Sequence, residues 1–168
     1  GSPAVDAVED LFHLHAAVGK HLAYVRRHID GIYDSIRSFE NLDEQYGLYS
    51  STIRTDWEFQ KERPNKKDVI REKRRVYLHA YFNIEKYADE EAHFDRRLLS
   101  MKGEILSGKR NPDHETFYKK YFEVTDTPVR GIKVAVKEDV VKQKKRYFGF
   151  FALMTNEKMD AITALTLY

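Results

Sequence analysis

The chain contains no cysteine, which excludes a disulfide framework, thiolate metal sites and a cysteine nucleophile together. A reducing, cytoplasmic location is consistent with that. No uninterrupted apolar run approaches the length of a membrane span, and no signal-peptide pattern opens the chain. Glycine is scarce and dispersed: Gly31, Gly47, Gly103, Gly108, Gly131 and Gly149 stand singly, so there is no Gly-rich phosphate loop. Also missing are a His-Glu-x-x-His pattern and a nucleophile elbow. Charge of one sign is not in excess either, the formal net charge being only +2. Overall charge therefore names no partner.

What is present suits one folded domain. The 168 residues are 42% apolar, 13% aromatic and 33% charged, enough for a sizeable core under an ordinary solvated surface. Gly1-Ser2 is set aside as an expression scar. Val5 to Leu14 carries both a helical face and a strand-like alternation, and it is read as a short helix running into a short strand that ends at Gly19. From Lys20, apolar residues recur every three or four positions (Leu22, Val25, Ile29, Ile32, Ile36), predicting an amphipathic helix with Gly31 as a weak point and its end near Asn41.

The period then changes. Ile53, Thr55, Trp57 and Phe59 alternate with Arg54, Asp56 and Glu58, the pattern of a half-buried strand. Gln60 to Arg75 is charged, holds a proline and reads as an exposed connection. Val76 to Phe82 is β-prone on both faces and is the expected antiparallel partner of the Trp57 strand. A helical hairpin is predicted over roughly Ile84 to Phe122, its first helix ended by Gly108 and its second announced by Asn111-Pro112-Asp113. Thr125 to Pro128 reads as a turn and Ile132 to Val136 as a strand. A short polar helix follows from Glu138 to Lys145, then a buried strand from Tyr147 to Met154. The closing segment from Met159 is helical, with Thr155 or Asn156 available as its cap. No Gly, Asn or Pro stops this helix, so the chain is expected to be a piece of something longer. The fold class predicted is α+β with a mainly antiparallel sheet.

Candidate chemistry is sparse. The seven histidines lack metal-ligand spacing; His13 and His15 would share a face only on a strand. Trp57, the single tryptophan, is read first as core packing and second as a stacking platform for an unpaired base. The basic stretch containing Lys66, Lys67, Arg71, Lys73, Arg74 and Arg75 is read as a solvated face or, with Trp57, Tyr77 and Tyr81 nearby, as a nucleic-acid footprint.

Several segments together carry a resemblance: Asn111-Pro-Asp-His, Tyr121-Phe, Gly131-Ile-Lys-Val-Ala-Val-Lys, Arg146-Tyr-Phe-Gly-Phe-Phe-Ala-Leu-Met-Thr-Asn and Asp160-Ala-Ile-Thr-Ala-Leu-Thr-Leu-Tyr168. With weaker likeness at Val25-Arg-Arg-His-Ile-Asp and Ile36-Arg-Ser-Phe, most of the chain resembles part of a DDE transposase of bacterial insertion sequences, in the insertion-sequence-four-like branch. The resemblance implies an RNase H-like catalytic core with two early Asp and one late Glu, interrupted by a largely β insertion. Tyr168 matches the opening residue of the family's Tyr-x2-Arg-x3-Glu-x6-Lys signature, and no Asp of this chain maps onto either catalytic position. Residues 3–50 are then expected to be core-proximal, 51–145 the insertion, and 146–168 the returning strand and start of the helix leading to the Glu. The parent protein would use magnesium for phosphoryl transfer on transposon-end DNA, and this piece would contact DNA without being catalytic by itself. The rival expectation is a noncatalytic α+β protein-interaction module.

Overall fold

The computed structural model describes residues 18–62 and 69–167, without the side chains of 18–21, 59–62 and 69. The expected helix at Val5 to Leu14, the His13–His15 pair, Lys66, Lys67 and Tyr168 lie outside what is described. The architecture is α+β, and its larger sheet is antiparallel throughout. The described residues form two compact units, 18–83 with 150–167, and 84–149.

The first unit is a sheet in the order β1-β2-β3-β6, with β1 at Leu42–Asp43, β2 at Leu48–Glu62, β3 at Val69–Phe82 and β6 at Phe150–Thr155. Cross-strand neighbours share a face, so Ile53, Leu78 and Met154 line one side, and His79 with Leu153, and Tyr81 with Phe151, line the other. Helix α1, Val18–Ile32, packs Tyr24 and Val25 against the first side. A C-terminal helix, Ala161–Leu167, packs Ala161, Ala164 and Leu165 with Leu48, Tyr81 and Leu153 on the second.

Several boundaries differ from expectation. Val18 and Gly19 belong to α1, not to a strand. That helix ends at Ile32 and does not reach Asn41: after Gly31 the chain tightens, Asn41 Nδ2 donates to the Ser35 and Ile36 carbonyls at 3.0 and 3.2 Å, and Ile36 is fully buried. The stretch Gln60 to Arg75 is mostly strand, because β2 runs to Glu62 and β3 starts at Val69. Charged residues persist there because a two-stranded ribbon solvates both faces and sets opposite charges across from one another: Asp56 faces Arg75 and Glu58 faces Lys73. The C-terminal helix is capped by neither Thr155 nor Asn156. Asp160 Oδ1 accepts from Thr163 N at 2.7 Å, while Thr155 ends β6.

The second unit is built on helix α2, Ile84–Leu106, and the shorter α3, Glu115–Tyr121. Gly108 follows α2 at φ +73°, a left-handed conformation that costs a residue with a Cβ. Asn111 Oδ1 then accepts from Asp113 N at 3.0 Å, with Pro112 at the first position of a 3₁₀ turn that leads into α3. Phe122 is not helical. It opens strand β4, Phe122–Thr127, which pairs with β5, Gly131–Val136, so the expected turn at Thr125 to Pro128 shrinks to residues 128–130. Helix α4, Glu138–Arg146, precedes a tight turn through Gly149 at φ +81°, and this delays β6 to Phe150. Phe94, Met101, Ile105, Tyr118, Tyr121, Phe122, Val141 and Phe148 form this unit's core. No helix among the described residues is long and apolar enough to cross a membrane.

Candidate nucleic-acid interface

The outer part of the β2–β3 ribbon carries Arg71, Lys73, Arg74 and Arg75. Strand register divides them. Arg71, Lys73 and Arg75 lie across from Gln60, Glu58 and Asp56, and thus share the face that also carries Arg54 opposite Tyr77. Arg74 lies opposite Trp57 on the other face. Two acidic side chains temper these charges: Arg71 Nε is 3.6 Å from Glu58 Oε1, and Arg74 Nη2 donates to Glu72 Oε2 at 3.0 Å. All four cations of β3 are exposed, so such pairs contribute little to stability and leave the guanidinium groups accessible. Arg54 was not among the sequence candidates. Its signal was the alternation with Trp57, which required the register with β3 before it could be placed beside Arg71 and Arg75.

Trp57 sits half-buried at the base of the ribbon, its ring edge-on to Tyr24 with centroids 4.6 Å apart. Tyr24 donates its hydroxyl hydrogen to the Asp56 carbonyl at 3.1 Å, so the 2.7 Å bond between the two hydroxyls is donated by Thr55. Burial raises the Tyr24 pKa, and burial beside Arg27 lowers that of His28, whose Nε2 is 3.3 Å from Thr55 Oγ1. Trp57 thus packs against Tyr24 and the Val76, Leu78 and Met154 side of the sheet while staying only half-buried.

The described histidines do not converge. His79 is fully buried on β3 between Thr52 Oγ1 and Thr155 Oγ1, each 2.9 Å from a ring nitrogen. Thr155 donates its hydroxyl hydrogen to the Glu157 carbonyl at 2.9 Å, so it can only accept from His79 Nε2, and Nδ1 accepts from Thr52. In the second unit, Glu104 accepts from Tyr118 and lies 2.9 Å from His114 Nδ1; these bonds hold its carboxyl below the usual range and clasp the end of α2 to the start of α3. Among the described residues no group of three or more His, Asp or Glu could hold a metal ion. Comparisons with protein-family models, curated proteins and solved structures find no match.

Proposed function

We propose that the chain is part of a DDE transposase, the insertion domain of its RNase H-like core with fringes of that core at both ends, and that it contributes DNA contacts to transposition in the cytoplasm without being catalytic by itself. The observation that carries the DNA contact is the ribbon face on which, among the described side chains, Arg54, Arg71, Lys73 and Arg75 outnumber Asp56 and Glu58. A two-stranded ribbon fits the major groove, and exposed guanidinium groups along it pair with phosphates. The family reading itself rests on the sequence resemblance. Magnesium belongs in this reading to the parent protein, because the resemblance maps no catalytic Asp or Glu onto this chain.

Fluorescence anisotropy of the chain on duplex DNA, repeated across salt concentrations, tests the DNA reading. Binding should be weak, indifferent to sequence and lost at high salt. The combined variant Arg71→Ala, Lys73→Ala, Arg75→Ala should flatten the log K against log salt slope by roughly 2 to 3, at about 0.9 for each phosphate no longer neutralised. Unchanged binding in that variant returns these charges to a solvated face, and affinity for a protein with little salt dependence would favour the interaction module. In a cleavage assay with magnesium and a transposon end, the chain should show no turnover. Metal-dependent cutting abolished by replacing one Asp or Glu of this chain would overturn the noncatalytic reading.

A further inference from the structure

Helix α2 is apolar on two sides. Phe94, Leu98, Met101 and Ile105 turn inward to the core of their unit. One residue on from Leu98, about 100° round the helix, Leu99 is 70% exposed, and Leu106, two turns further along the same line, is 48% exposed. Ala88, Ala92 and Gly103 are exposed along that line, and the space around Gly103 where a Cβ would stand is open to 4 Å. A second apolar line of this kind on a solvent-facing helix asks for a cover.

The charges of the helix say what that cover is. The N-terminal half carries Glu85, Asp89, Glu90 and Glu91 against Lys86, and the C-terminal half carries Arg96, Arg97 and Lys102. Asp95 in the middle is bound by Lys145 at 2.7 Å and Glu104 is held in the His114 and Tyr118 clasp, while in the acidic half Lys86 pairs with Glu90 and Tyr87 donates to Glu91. Arg97 lies over the Phe117 ring, yet four acids against one lysine still leave the first half negative, and the second half stays positive. A helix acidic at one end and basic at the other is complementary to itself when reversed. Laid parallel, acid would meet acid.

We infer that the outer face of α2 is a self-association surface, on which a second copy of this chain docks its own α2 antiparallel, with the two-fold axis passing near Asp95 and Arg96. In that register Leu99 of one copy packs over Ala92 of the other, Ala88 meets Gly103, and Leu106 lies against the methylene stem of Glu85 at the end of the contact. Small residues opposite large ones let the helix axes approach to about 8–10 Å. The acidic half of each helix then runs beside the basic half of its mate, and the contact is isologous, closing at two copies. This surface is independent of the β2–β3 ribbon and of the DNA-binding reading.

Sedimentation equilibrium on the whole chain tests it. A single helix pair buries a small area and belongs to the weak class of interfaces, so the mass should rise from 19.8 kDa towards twice that value at concentrations on the order of 100 µM. Leu99→Glu should abolish the rise while leaving the circular dichroism spectrum unchanged, since Leu99 contributes little to its own core. Because the chain has no cysteine, thiols can be placed at will. Ala92→Cys mixed with Leu99→Cys should cross-link under mild oxidation faster than either variant alone, which only the antiparallel register allows. A mass fixed at that of one chain, a dimer indifferent to Leu99→Glu, or cross-linking that is fastest within the single variants would each overturn the inference.

Discussion

Acidification from pH 7 to about 4 should remove roughly 3 kcal/mol from the stability of the sheet unit through His79 alone. Burial lowers the pKa of this imidazole from 6.5 to about 4, a shift only partly opposed by the carboxylate of Asp160. A histidine with a depressed folded pKa binds its proton more readily when unfolded. Its contribution is therefore fully present above pH 6.5, falls as the pH drops through the interval, and is gone below about 4. The geometry gives the cause: both ring nitrogens are already used by Thr52 and Thr155 in the neutral tautomer, inside a sheet that admits no water to the ring. Urea titrations followed by the fluorescence of Trp57, which lies in the same unit, should show this slope in the native chain and lose it in His79→Gln. Titrating groups other than Asp160, whose carboxylate is coupled to this imidazole, act alike in both proteins, so the difference reports His79 together with that coupling. A native imidazole titrating near 6.5 by NMR would sink the prediction even if the variant failed to fold.

Phe94→Ala should destabilise the second unit by about 3–5 kcal/mol. Phe94 is the hub of its core, with ring centroids 5.2 Å from Tyr121, 5.8 Å from Phe148 and 6.3 Å from Phe117. Truncation removes the transfer energy of a buried ring and leaves a cavity walled by aromatics on different elements, which cannot all collapse into it. Phe94→Leu keeps most of the volume and should cost less. Hydrogen exchange resolved by peptide is the readout. Protection across residues 84–149 should fall by roughly two to three orders of magnitude in the alanine variant. A fall of less than tenfold would show that the cluster repacks.

Local chemistry determined much of this protein by itself. Apolar periodicity named α1, α2, the Trp57 strand and its partner at Val76 to Phe82, because side-chain spacing along a helix or strand is a property of the backbone alone. Asn111-Pro112 and Gly108 marked the joint of the helical hairpin, because a cap and a left-handed residue are needed wherever such a joint is made. The same local logic failed at Gln60 to Arg75, at Phe122 and at Thr155, each for want of a partner. Charges that forbid a half-buried strand are tolerated once Asp56 and Glu58 lie across from Arg75 and Lys73. Phe122 leaves the helix because Val136 waits opposite it, and Thr155 is taken from capping by His79. For the candidate site, composition gathered Arg71 to Arg75 into one basic run, but only the register of β2 on β3 decided that Arg74 faces away with Trp57 while Arg54 joins the others. Pairing of one strand on the next fixes which residues share a face, and a single chain read residue by residue does not contain that register.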